Sequence, residues 1–235
     1  MKLLIWDFDG TLAHRRRETG WSILLAETLD GEEPGHGRSA DAFRPHLRDG
    51  FPWHRPEVAH PELCEPDAWW ASVQPVLARA YEAAGYEPAR AGELADAARL
   101  LYVDPDVGWA LFDDTRPTLE RLAEAGWGHA ILSNHVPELR QIVTGLGLDD
   151  LISFVSCSAE TGYEKPHPGA FASVLEPLRP AEAWMVGDNV VADVLGAEAV
   201  GLPAVLVRRP DARAGRYADT LAGVETFLAE AEVAA

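Results

Sequence analysis

Lysine is nearly absent from this chain. Of its 20 basic side chains only Lys2 and Lys165 are lysine, and the other 18 are arginine. A bias of that kind reads as genome base composition. A lysine kept against it is still worth noting, because a compact ammonium does jobs that a planar guanidinium cannot. Cysteine is equally scarce, and Cys64 and Cys157 alone cannot staple a secreted scaffold. Positive charge is short overall, with 38 acidic side chains and a net charge of −18. That balance argues against nucleic acid or an anionic membrane as a partner, and any phosphate-bearing substrate must be attracted by local cations or a metal. Long apolar runs are missing too. No stretch nears the ~20 apolar residues of a membrane span, and Asp7 interrupts the apolar opening before it could form a signal-peptide core. These absences lead us to expect a cytoplasmic, reduced protein. Oligomeric state leaves no signature in the sequence.

What is present suffices for a substantial core: 235 residues, 47% hydrophobic, enough for one large domain or two modest ones. The chain opens with Leu3-Leu4-Ile5-Trp6, a short buried strand, followed by Asp7-Phe8-Asp9-Gly10-Thr11. Along an extended segment, side chains at i and i+2 share a side. Asp7 and Asp9 therefore both face one site at the strand end, with Phe8 turned into the core and Gly10 supplying a turn. Two carboxylates held that close repel, and a divalent cation between them relieves the repulsion.

Beyond the turn lies Arg15-Arg16-Arg17, read as a solvated helix start or as a grip on an acidic substrate. A helical face follows with Trp21, Leu24, Leu25, Thr28 and Leu29. Residues 31–66 are broken by glycines and prolines, with one short helix near 41–48. Trp69, Val73, Val76, Leu77, Ala80, Tyr81 and Ala84 mark a second helix, kinked at Pro75 or beginning there. Leu94, Ala97, Ala98 and Leu101 mark a third. Residues 15–112 thus read as helical, without a strand pair.

From Thr115 onward helices and strands alternate. Helices are expected from Pro117 to Gly126, over 136–146, from Pro168, over 190–200 and over 221–231. Strands are expected over 129–132, 151–155, 183–186 and 204–207. Short apolar strands alternating with helices predict an α/β fold with a doubly wound, parallel, Rossmann-like sheet. The core is residues 1–13 and 113–235, and residues 14–112 form an inserted α-helical cap.

In such sheets ligands bind beyond the carboxyl ends of the strands. Three predicted strands stop there in polar residues, at Asp7/Asp9, Ser133/Asn134 and Asp188/Asn189, and Lys165 lies in the loop Gly162-Tyr163-Glu164-Lys165-Pro166. Any one of these is ordinary turn or helix-capping chemistry. Four with complementary chemistry in one sheet point to a site.

Together these residues resemble the haloacid dehalogenase-like (HAD) hydrolase superfamily, mostly phosphatases. The resemblance rests on Asp7-Phe8-Asp9-Gly10-Thr11, Ile131-Leu132-Ser133-Asn134, Lys165-Pro166, and Gly187-Asp188 with Asp193 five residues on, in the family's order. It implies that Asp7 attacks phosphorus and forms an aspartyl-phosphate. Asp9 would protonate the departing alkoxide and then activate water. Mg²⁺ would be held by Asp7, Asp188 and, through its main-chain carbonyl only, Asp9. Ser133, Asn134, Gly10 and Thr11 would hold phosphate oxygens, helped by a nearby helix start. Lys165 would offset the crowded negative charge, oriented by Asp193. Dehalogenases of the superfamily lack the second aspartate, so Asp9 argues for phosphate esters. Phosphonate-cleaving relatives use a cap lysine, and none stands between Ala13 and Phe112.

The implied substrate is a small phosphorylated metabolite enclosed by the cap. A sugar phosphomutase shares every motif. A receiver-type phospho-accepting domain uses similar groups but places its phosphorylated aspartate on an internal strand. His135 and His167 read as surface or capping residues. His36, His46, His54 and His60 lack a zinc-like spacing. Trp53, Trp69, Trp70 and Trp109 read as core.

Overall fold

The computed structural model describes residues 1–17 and 20–234. Strand β1 is Lys2–Trp6, and Leu3, Leu4, Ile5 and Trp6 are all fully buried. A strand buried on both faces must lie inside its sheet. β1 pairs in parallel with β4 (Trp127–Ser133) on one side and β6 (Glu182–Gly187) on the other. With β5 (Ile152–Cys157), β7 (Ala204–Val207) and β8 (Tyr217–Ala218), the sheet runs β5-β4-β1-β6-β7-β8, parallel throughout.

The two-residue period of a strand sorts β1 between two cores. Leu3 and Ile5 join Phe171, Val174, Met185 and Val194 on one face, and Leu4, Trp6 and Phe8 join Leu119, Leu122, Val186 and Val205 on the other. The sheet is therefore doubly wound. Its order reverses at β1, so the crevice where ligands bind in such sheets opens at the carboxyl end of that strand.

The turn after β1 is tight. The amides of Thr11, Leu12 and Ala13 all donate to the carbonyl of Phe8, and the Gly10 amide donates to that of Ala13. Gly10 takes φ +88° to allow this. The chain then enters the insertion along β2 (Ala13–Arg15) and returns along β3 (Trp109–Leu111), paired antiparallel. This corrects the expectation that 15–112 holds no strand pair. Three-residue strands carry too little pattern to stand out, and only their partner across the insertion stabilises them. Arg208 secures the same junction. Its Nε donates to the Thr11 carbonyl and its Nη2 to Asp114 Oδ1, each at 2.8 Å, with the guanidinium 3.5 Å from the Phe112 ring centre.

The insertion is otherwise helical, with main helices Trp21–Glu32, Pro66–Ala83 and Pro88–Val103 and a short one at Ala40–Phe43. The second helix does not start at Pro75. It starts at Pro66, where the missing N–H costs nothing, and continues through Pro75. Leu25, Leu29, Phe43, Trp69, Val73, Leu77, Tyr81 and Leu94 fill its interior. Trp70 Nε1 and Arg99 Nη2 both donate to Glu138 of the core, at 2.9 and 3.0 Å, which ties the cap to the sheet.

In the core, the helices Thr115–Glu124, Leu139–Gly145 and Pro168–Leu178 fall where expected, the second shorter at both ends. The segment expected as one helix over 190–200 is instead a π-helical turn, Val190–Leu195, continued by Gly196–Ala199. Such wide turns occur often at functional sites. No helix among the described residues is long and apolar enough to cross a membrane.

Candidate active site

Asp7 follows β1 directly and is buried. Its Oδ1 accepts from Ser133 Oγ at 2.9 Å and from Lys165 Nζ at 2.8 Å. Its Oδ2 has a longer contact, 3.4 Å, with Thr11 Oγ1. Ser133 arrives because β4 is the next strand in the sheet, and its register with β1 carries both strand ends to the same level. Lys165 arrives from the loop before the helix Pro168–Leu178. It is nearly fully enclosed and also donates to Asp193 Oδ1 at 2.6 Å. Burial alone would lower an ammonium's pKa, but the carboxylates of Asp193 and Asp7 outweigh it and hold Lys165 above its ordinary range.

Asp9 behaves differently from Asp7. Its Oδ1 is enclosed and has no hydrogen-bond partner among the described residues. Desolvation, reinforced by the charge of Asp7, raises its pKa to about 7. Asp9 can therefore carry a proton near neutral pH.

Asp188, at the end of β6, completes the acidic cluster. One carboxylate oxygen each from Asp7, Asp188 and Asp193 lie within 4.8 Å of one another. Burial and the neighbouring carboxylates push the pKa values of Asp188 and Asp193 upward. Asp193 has both oxygens engaged, Oδ1 with Lys165 and Oδ2 with the Asn189 amide at 2.9 Å. The oxygens less engaged are Asp7 Oδ2 and those of Asp188, and among the described residues the one cationic contact of Asp188 is Arg209 Nε at 3.3 Å. Gly10 keeps this space open, since a Cβ there would lie 2.5 Å from Asp188 Oδ2. Hard oxygen donors, an excess of carboxylates over cations and a cradle without a side chain fit a divalent cation, with Asp7 and Asp188 as side-chain ligands.

Not every residue expected to touch phosphate is free to do so. The Gly10 and Thr11 amides are spent inside the turn. Asn134 uses both side-chain polar atoms on Lys165, donating to its carbonyl at 2.9 Å and accepting from its amide at 2.7 Å. It shapes the lysine loop. Ser133 remains beside Asp7.

Two other expectations need correction. His135 is not a surface residue. It is buried against Phe8, Tyr102 and Trp109, at ring distances of 5.5, 5.5 and 5.2 Å, and burial lowers its pKa to about 4, leaving it neutral. Arg15 lies on β2 and is buried near the Tyr102 and Trp109 rings, so the basic run does not start a helix. Arg16 and Arg17 are exposed. His167 does cap its helix, accepting from the Gly169 amide at 3.0 Å. The insert histidines form no metal-binding group among the described residues.

These groups open into a cavity of about 500 Å³ between core and cap. Its lining includes Arg209, Trp21 and Tyr102, which sequence reasoning missed. Arg209 carries the same signal as the strand-end acids, because it follows the carboxyl end of β7 by two residues. Trp21 and Tyr102 carried no signal beyond helical periodicity. Among the four tryptophans read as core, Trp69, Trp70 and Trp109 are buried, whereas Trp53 is half-buried and lines the cavity.

Comparison with known proteins agrees with this geometry. The family model of the haloacid dehalogenase-like hydrolases matches residues 1–201. A phosphoserine phosphatase from Thermus thermophilus is 36% identical over 262 aligned positions, covering 98% of this chain and all of that protein. The human haloacid dehalogenase-like hydrolase domain-containing protein 3 is 30% identical over 219, covering 90% of this chain and 84% of that one. Among solved structures, the HAD hydrolase YfnB from Bacillus subtilis, bound to magnesium, superposes with a TM-score of 0.70 at 20% identity, over 97% of this chain and 98% of that one. With its ordered motifs gathered at one end of the sheet, its helical cap and its matching family model, the chain belongs to the haloacid dehalogenase-like hydrolases.

Proposed function

We propose that this hydrolase is a Mg²⁺-dependent phosphatase that cleaves a small phosphate monoester through an aspartyl-phosphate on Asp7. One observation carries the reading: an enclosed carboxyl, Asp9, able to hold a proton near pH 7, stands two residues from a carboxylate already clamped by a serine and a lysine. Haloacid cleavage has no use for that proton, whereas an alkoxide leaving group needs it. The phosphatase names of relatives such as the Thermus protein support the same reading.

In this scheme Ser133 and Lys165 fix the Asp7 carboxylate and draw off part of its charge. A bond forms from Asp7 to phosphorus as the ester P–O bond breaks, and Asp9 gives its proton to the departing oxygen. Deprotonated Asp9 then takes a proton from the water that attacks the acyl phosphate. Asp7 is restored and inorganic phosphate leaves. Asp7, Asp188 and the Asp9 carbonyl would hold Mg²⁺, which supplies positive charge where carboxylate and phosphate oxygens must approach. Asp193 orients Lys165, and Asn134 fixes the loop that presents it.

The test is hydrolysis of p-nitrophenyl phosphate with and without Mg²⁺ by wild type, Asp7→Asn and Asp9→Asn. Metal-dependent turnover that vanishes in Asp7→Asn is expected. Undiminished turnover in that variant would overturn the assignment.

A further inference from the structure

The cavity has two unlike halves. The core half carries the acids, Lys165 and Ser133. The described cap residues that line it are Arg15, Gly20 and five largely apolar side chains: Trp21, Leu24, Trp53, Pro56 and Tyr102. Two of the polar side chains on this wall are already engaged, and its other side-chain donors are the indole N–H groups of Trp21 and Trp53. Arg15 is spent on Glu27 and the carbonyls of Leu101 and Tyr102, at 3.4 to 3.5 Å. The Tyr102 hydroxyl lies 3.4 Å from His135 Nε2. No carboxylate or amide side chain faces the cavity from the described part of the cap.

The rings on this wall also brace one another. Trp21 stacks on Tyr102 with centroids 4.5 Å apart and planes 12° from parallel, and on Trp53 at 6.2 Å and 23°. Phe51 stacks on Trp53 at 4.8 Å. Rings held this way present a fixed, largely apolar surface that offers one donor per indole and no acceptor. A leaving group with several hydroxyls would surrender water there and regain few hydrogen bonds. A ring would lose nothing and would meet aromatic rings whose quadrupoles favour offset or edge-to-face contact.

Resting on the phosphatase reading, we infer that the alcohol released by this enzyme carries a flat apolar ring, seated against Trp21, Trp53 and Tyr102, and is not a polyol. The pocket suits that size, since about 500 Å³ lies within the ~300–1,000 Å³ range of small-molecule sites.

The experiment compares 2-phenylethyl phosphate with glycerol 1-phosphate. Both release primary alcohols, so leaving-group chemistry differs little and the wall decides. Wild type with Mg²⁺ is expected to favour the phenylethyl ester in kcat/KM by at least about tenfold. In Trp21→Ala that preference should fall several-fold, chiefly through a higher KM for the phenylethyl ester, and Trp21→Phe should restore most of it. The preference is a ratio measured on one preparation, so a partly unfolded variant does not distort it. Equal or better turnover of glycerol 1-phosphate would overturn the inference, as would a preference that Trp21→Ala leaves intact. Both results leave the phosphatase reading standing. If p-nitrophenyl phosphate too is untouched, the phosphatase reading falls and this inference falls with it.

Discussion

Lys165 Nζ sits 2.6 Å from Asp193 Oδ1, both side chains almost wholly enclosed, and the same ammonium reaches Asp7 Oδ1 at 2.8 Å. One of only two lysines in the chain thus joins the carboxylate at the end of β1 to the one in the π-helical turn after β6. Its position explains why an arginine-rich chain keeps a lysine here. Two carboxylates approach one point, and a compact ammonium fits between them where a planar fork would not.

Lys165→Met should therefore damage both stability and activity. Removing one partner leaves buried carboxylates unpaired, a loss of about 3–5 kcal/mol, measurable by urea unfolding. Lys165→Arg keeps the charge and should still lose most turnover. Steady-state kinetics with near-normal activity in Lys165→Arg would contradict this account.

Asp9→Asn should slow hydrolysis by about 10²–10⁴-fold, the usual contribution of a positioned acid–base group. The loss should be smaller for p-nitrophenyl phosphate than for an alkyl phosphate, because p-nitrophenolate departs without a proton. Equal losses on the two esters would indicate that Asp9 is not the acid.

Gly10→Ala should weaken metal binding. The new Cβ would press on Asp188 and would hold an L-residue at φ +88°, which costs about 1–2 kcal/mol in the left-handed region. Titration calorimetry should show Mg²⁺ affinity reduced by about tenfold or more, the usual effect of disturbing the group that positions a ligand. Unchanged affinity would mean that Asp188 is not a ligand.

Stability should fall as pH rises from about 5 to 8, and Glu164 is one cause. This buried side chain, with Oε2 unpartnered among the described residues, has its pKa raised by desolvation from 4.5 to about 7. The unfolded chain releases that proton near 4.5, so between the two values the native state binds more protons and loses stability with rising pH. The full contribution is of order 3–4 kcal/mol at ~1.4 kcal/mol per pKa unit, most of it lost across this pH range. In Glu164→Gln the slope between pH 5 and 8 should flatten. Denaturant unfolding at both pH values reads it, and an unchanged slope would refute the assignment.

Much of this protein is legible in its sequence. The run Leu3–Trp6 ending in Asp7 and Asp9 announced a buried strand with a site at its end, since a strand of four apolar residues can only be central and the period of two puts both acids on one side. Strand-end chemistry at Ser133 and Asp188 followed from the same local rules. What those rules do not contain is distance. Asn134 reads as another polar strand end, yet its amide closes on the Lys165 backbone. His135 reads as a surface or capping residue, yet it is buried against Tyr102 and against Trp109 of β3.

The sequence by itself determined the α/β core, the place of the insertion and the identity of the acids and the lysine, because periodicity, glycine turns and strand ends are properties of neighbouring residues. Only the tertiary structure decided which acid is paired and which is left protonatable. The same is true of the pairing of β2 with β3 across the insertion and of the aromatic cap wall that faces the site. Each depends on groups far apart in the chain meeting in a space that excludes water, and burial, more than residue type, sets what a carboxyl or an imidazole does there.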